Sequence, residues 1–297
     1  MKSVKRILGL LLILAMVFAT ACGQSSTQTS HAAASASYAA AASSVSDNQA
    51  SESTSASGAG KQTQDSKPVE LIIAAAASLK DSLAEVQKAY AVKNSDVKLT
   101  FTFGSSGALQ QQIENGAAVD VFISAATRQM DALKEKGLII PETSRNFLKN
   151  NVVLIAPKDT LLTDFKDLTS DKVRHIGLGE PKSVPVGQYA EEVLNKLNIL
   201  DKIKGKVVYG NDVKEVLTWV ETGNVDAGIV YETDAKVSDK VKVIAAAPED
   251  SHKPVNYPAA VIKSSKNAEA AKAFTEFLYG SDAKTIFEKY GFVFIAK

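Results

Sequence analysis

Cysteine is nearly missing from this chain: Cys22 is the only one among 297 residues. A single thiol excludes a disulfide framework and a thiolate metal cluster. Histidine is scarce as well. Of three, only His175 and His252 lie beyond the low-complexity front end, with no pair at helical spacing and no carboxylate cluster to make a metal site. His175 opens a short apolar run and His252 falls in the polar turn Pro248-Glu249-Asp250-Ser251-His252-Lys253-Pro254, so neither reads as a catalytic base. Gly104-Ser105-Ser106-Gly107 is not a G-x-S-x-G elbow, and no phosphate loop or dinucleotide fingerprint occurs. Excess charge is missing too. The 34 Lys and Arg against 33 Asp and Glu give a net +1, which leaves no electrostatic footprint for nucleic acid.

What is present begins with a targeting segment. Lys2, Lys5 and Arg6 precede an apolar stretch over 7–18 and small residues that lead to Cys22. That is the layout of a secretion signal over 1–21, not of a spanning helix. Ala19-Thr20-Ala21-Cys22-Gly23 resembles a lipobox, apart from Ala19 where Leu is usual. It implies lipidation at Cys22 and an extracytoplasmic protein anchored to the cell membrane. Ordinary cleavage near Ala21 is the alternative. Residues 22–67 are dominated by Ser, Ala, Thr and Gln and cannot bury enough surface to offset ordering entropy, so they read as a flexible tether.

From residue 68 onward, apolar runs alternate with amphipathic helical stretches, the pattern of an α/β protein with mainly parallel sheets. Strands are expected at 69–75, 97–103, 119–124, 152–157, 175–178, 206–209, 227–231, 241–246 and 257–262. Helical stripes lie between them, as in Leu83, Val86, Ala89 and Tyr90 or Val213, Val216, Leu217 and Val220. Ser78 with Asp81, and Asp212 with Glu215, have capping-box spacing. Nine strands are many for one open sheet of this length, so two smaller sheets with a ligand cleft between them are expected.

Four helix starts fall at strand ends: Ser78-Leu79, Ser105-Ser106-Gly107, Val186-Gly187-Gln188 and Asp212-Val213-Lys214. Each presents unpaired N–H groups and about half a positive charge, so four that converge would roughly match a dianion. Gly104 and Gly107 would let the backbone approach such a ligand. Plain capping, about 1 kcal/mol per hydroxyl, explains Ser78 and Ser106 equally well at this point. Tyr231 ends an apolar strand, where its phenol either enters a cleft or stays a solvated rim group.

Taken together, these motifs resemble the molybdate-binding proteins of bacterial ABC transporters, a group of type II periplasmic solute-binding proteins. The likeness spans nearly all of the folded part. Its landmarks are Ala75-Ala76-Ala77-Ser78-Leu79, Phe103-Gly104-Ser105-Ser106-Gly107, Asp120-Val121-Phe122-Ile123-Ser124-Ala125, Val184-Pro185-Val186-Gly187-Gln188-Tyr189-Ala190, Gly228-Ile229-Val230-Tyr231 and Tyr290-Gly291-Phe292. The resemblance implies a two-lobed fold, each lobe a mixed, mainly parallel sheet flanked by helices, with lobe one at 68–156 and 253–297 and lobe two at 157–252. It implies an oxyanion held by Ser78, Ser106, Val186, Val213 and Tyr231, with Val186 in place of the common Ala. The protein would be no enzyme and would need no cofactor; molybdenum would bind only as molybdate, or tungsten as tungstate, without direct metal ligation. A membrane permease and its ATPase are the implied partners of a monomer. Other readings are a binder of sulfate, a secreted Ser hydrolase, or a surface lipoprotein that binds another protein.

Overall fold

The structure, a computed structural model, describes residues 68–296; the signal segment expected at 1–21, Cys22 and the tether expected at 22–67 lie outside the described residues. The first half runs β1 (Val69–Ala76), α1 (Lys80–Lys93), β2 (Val97–Gly104), α2 (Ser106–Glu114), β3 (Val121–Ile123), α3 (Thr127–Glu135) and β4 (Arg145–Asn150). Next come β5 (Val152–Pro157), β6 (Ile176–Gly179), α4 (Pro185–Lys196), α5 (Leu200–Ile203), β7 (Val207–Gly210) and α6 (Val213–Glu221). The chain closes with β8 (Ala227–Tyr231), α7 (Glu232–Lys236), β9 (Val241–Ala246), β10 (Val255–Val261), α8 (Ala268–Leu278), α9 (Ser281–Lys289) and β11 (Val293–Phe294).

Two mixed sheets result, ordered β11-β4-β10-β3-β1-β2 and β7-β6-β8-β5-β9. β1 runs parallel to β2 and β3, and β6 parallel to β7 and β8, as expected of βαβ units. The other five pairings are antiparallel, so the sheets are mixed as expected but lack the expected parallel majority. The cause is the route of the chain: β4 enters β5 through Asn151 alone, and β9 returns to β10, so strands at the crossings run against the βαβ units. β5 pairs with β8 and β9, so the chain passes from the six-stranded to the five-stranded sheet at Asn151. Neither β4 nor β11 was expected. β4 carries only Phe147 and Leu148 as apolar residues, too few to register as a strand by pattern.

The six-stranded sheet buries both faces. Leu71, Ile73 and Ala75 of β1, Val121 and Ile123 of β3 and Ala259 and Val261 of β10 share the larger core. Their alternates Ala74, Phe122 and Ala260 pack with Leu109, Ile113, Met130 and Leu133 from α2 and α3. This period of two explains why β1 reads as one apolar run: helices cover it on both sides. On the larger side Tyr90 of α1 stands edge-on to Phe274 and Phe277 of α8, at 5.2 and 5.1 Å between ring centroids.

Candidate functional site

Parallel strands put their carboxyl ends on one side of each sheet, and there the chain turns into helices. β1, β2 and β3 end at Ala76, Gly104 and Ile123; β6, β7 and β8 end at Gly179, Gly210 and Tyr231. The segments after the first five, and the last residue of β8, meet around one small cavity. Ser78, Ser106, Val186, Val213 and Tyr231 all line it, together with Ala125 and Asp212. It leaves about 10 Å³ for the centre of a water-sized sphere, on the order of one water. None of its lining residues is Lys, Arg or His.

Both serine hydroxyls are free of the capping role that the spacing allowed. Ser78 lies in a 3-10 turn over Ala77–Leu79; α1 starts after Leu79 with no side-chain cap, so no Ser78–Asp81 capping box forms. Its Oγ instead lies 3.0 Å from the Tyr257 hydroxyl. At α2 the cap is Ser105, whose Oγ accepts from Ala108 N–H at 3.4 Å. Ser106 is the first helical residue, fully buried, and its Oγ accepts from Ala125 N–H at 3.0 Å. Among the described residues the Ser106 hydroxyl proton has no protein acceptor, and Ser106 lines the cavity.

The two valines contribute backbone. Val186 is the second residue of α4, behind Pro185, and Val213 is the first of α6, so neither N–H has an intrahelical partner. Asp212 caps α6 by accepting from Lys214 and Glu215 N–H at 2.8 and 3.0 Å, which leaves Val213 N–H uncapped. Glu215 reaches Asn211 N–H, one residue short of the reciprocal bond, so the box expected there is half formed. Gly107 N–H is not open to a ligand: it donates to Ser183 O at 2.9 Å, joining the two sheets' loops. A Cβ at Gly107 would sit 2.6 Å from that oxygen, so the contact requires glycine.

Tyr231 is 1% exposed, and burial holds its phenol well above the usual range, so it stays a neutral donor. Its hydroxyl reaches Ala125 O at 3.5 Å, a long bond that a better acceptor would displace. Two residues not singled out from the sequence complete the surroundings, Ala125 and Tyr257. Ala125 follows the end of β3, and that position was the available signal. Tyr257 precedes Pro258 at a register shift in β10, the irregularity a strand proline imposes. Neither serine has a base among its hydrogen-bond partners. His252 Nδ1 contacts the adjacent Lys253 O, and the His175 backbone rests on Asp226. Among the described residues no group of three or more His, Cys, Asp or Glu is placed to hold a metal.

Comparison with known proteins agrees with this geometry. The family model for bacterial extracellular solute-binding proteins matches residues 71–293. YvgL of Bacillus subtilis, named as a candidate substrate-binding lipoprotein of an ABC transporter, is 46% identical over 232 residues, 77% of this chain and 88% of that protein. The molybdate-binding protein ModA of Haemophilus influenzae is 41% identical over 228 residues, 75% of this chain and 89% of its own. The substrate-binding domain of a candidate molybdenum ABC transporter from Clostridium difficile superposes with a TM-score of 0.61 at 49% identity, covering 76% of this chain and 99% of that one. Two mixed sheets, a cavity at their facing strand ends and a family match across nearly the whole folded part place this chain among the bacterial extracellular solute-binding proteins.

Proposed function

We propose that this protein captures molybdate, with tungstate as an equivalent ligand, and hands it to an ABC importer. The carrying observation is the convergence of Ser78, Ser106, Val186, Val213 and Tyr231 on one cavity without a lining cation. Hydroxyl protons and helix-start N–H groups suit a tetrahedral dianion, because each contact donates and the helix dipoles supply the balancing charge. The names of the relatives support the same ligand. Serine hydrolysis is disfavoured because neither serine is paired with a base, and metal ligation by protein atoms is not needed. The sides built on the two sheets act as lobes, hinged where the chain crosses at Asn151 and again between Ala246 and Val255. Only the closed arrangement brings all the donors to one ligand, so binding favours closure. Substrate-binding proteins of ABC transporters work with a membrane permease and its ATPase, and the closed form, a monomer tethered through lipidated Cys22, would be what they read.

Calorimetry with molybdate, tungstate, sulfate and phosphate tests this reading. One-to-one heat is expected with molybdate and tungstate and far weaker heat with sulfate. Silence with molybdate alongside heat from another anion would reassign the ligand.

A further inference from the structure

Behind the cavity, a chain of buried polar groups has a direction that can be read atom by atom. Asn151 N–H donates to Asn150 Oδ1 at 2.9 Å, which fixes the oxygen end of that amide. The other end, Nδ2, lies 2.8 Å from Thr233 Oγ1 and 3.2 Å from the Tyr257 hydroxyl, so both its protons are used. Tyr257 is fully buried. Its hydroxyl has two hydrogen-bond partners, Asn150 Nδ2 and Ser78 Oγ, and Nδ2 can only donate. The phenolic proton therefore goes to Ser78 Oγ, since a buried O–H without an acceptor carries its full desolvation penalty. Ser78 has no other acceptor among its protein hydrogen bonds, so its own proton turns to the cavity it lines.

We propose that Tyr257 and Asn150 are positioning residues that lock Ser78 as a one-way donor, so the site takes fully deprotonated oxyanions and rejects those that bring a proton. This deepens the oxyanion reading above and rests on it. A serine that can donate to a neighbour is free to turn a lone pair toward a ligand O–H, as hydrogen phosphate would present; Ser78, accepting from Tyr257 and with no other protein acceptor, could do so only by leaving its own proton unpaired. Ser106 is held in the same sense by Ala125 N–H. Asn150 is the last residue of β4, one residue before β5, and Thr233 lies in α7 beside the five-stranded sheet. The direction of the Ser78 proton is thus set where the chain crosses between the sheets.

The test compares molybdate with hydrogen phosphate at mildly alkaline pH, where phosphate keeps one proton and molybdate none. In Tyr257→Phe, molybdate affinity should fall on the order of tenfold while hydrogen phosphate affinity holds or rises, so their ratio falls at least as much. Asn150→Asp, nearly isosteric, should reverse the relay, because a carboxylate accepts the phenolic proton and Ser78 must then donate to Tyr257. Its ratio should fall further, and it serves if Tyr257→Phe does not fold. A purely structural role would weaken both anions in parallel and leave the ratio unchanged, which overturns the proposal. If the wild-type protein binds neither anion, the oxyanion reading itself fails. The relay is then judged without ligand, from the buried Tyr257 hydroxyl proton resonance, which Ser78→Ala must shift; an unmoved resonance rejects it.

Discussion

Adjacent serines at the start of α2 divide two jobs that the sequence could not separate. Ser105 caps the helix, whereas Ser106 accepts from Ala125 N–H and lines the cavity. Ser106→Ala should weaken molybdate binding by roughly 1.5–3 kcal/mol, the range for a hydrogen bond to a charged group. Ser105→Ala should instead cost about 1 kcal/mol of stability and leave affinity nearly unchanged. Calorimetry and urea unfolding on both variants check the division, and the reverse pattern would exchange the roles. The residue types and their neighbourhood were legible because hydroxyls at strand–helix junctions are recognisable in a linear pattern. Which hydroxyl caps depends on where β2 stops, at Gly104, and a pattern fixes such an edge only to within a residue or two. Tyr257 left no pattern of its own, since a strand tyrosine bonded to a serine 179 residues away is a tertiary fact.

Helix starts and strand ends were the more legible layer, because buried βαβ strands read as apolar runs and the helices between them keep a 3.6-residue stripe. The exceptions are informative. β4 pairs through its backbone with β10 and β11 while its side chains stay mostly polar, so periodicity passed over it. The α1 capping box failed because a 3-10 turn, Ala77–Leu79, intervenes and releases Ser78 for the site. Two glycines separate the work of the elements. Gly187 packs α4 on β6, where a Cβ would stand 2.0 Å from Gly179 O, within one side of the molecule. Gly107 instead meets Ser183 across the two sides. Gly187→Ala should lower stability by about 1–3 kcal/mol, the cost of overpacking. Gly107→Ala should leave the ligand-free unfolding midpoint nearly unchanged and weaken binding by a similar amount, since only closure is obstructed. Unaltered affinity in Gly107→Ala would mean that the loops need not meet for the ligand to be held.

Across the whole molecule, one ionic group joins the two sides beside the site. Lys214 of α6 reaches Asp81 of α1 at 2.7 Å and Asp234 of α7 at 3.1 Å. Asp81 takes the shorter hydrogen bond at the protein surface, while Asp234 is fully buried and holds the ammonium from the longer side. Its burial, with Asp81 and Asp212 adding repulsion and Lys214 offsetting part of it, pushes its carboxyl up to about 6. Lys214 moves up as well, because both carboxylates favour its charge over the opposing effect of burial. The pair therefore stays attractive, and Asp234 is the member that takes a proton first. With a folded pKa above the unfolded value of about 3.9, Asp234 gains proton affinity on folding. Its contribution to stability is complete below about pH 4 and lost as pH rises through about 6. Asp234→Asn keeps the uncharged form throughout, while Lys214 keeps Asp81. The wild type should thus lose on the order of 2–3 kcal/mol relative to Asp234→Asn between about pH 4 and pH 8. Urea unfolding of the ligand-free proteins across that window measures the difference; curves that stay parallel would show that Asp234 remains ionised, with Lys214 fully offsetting its burial.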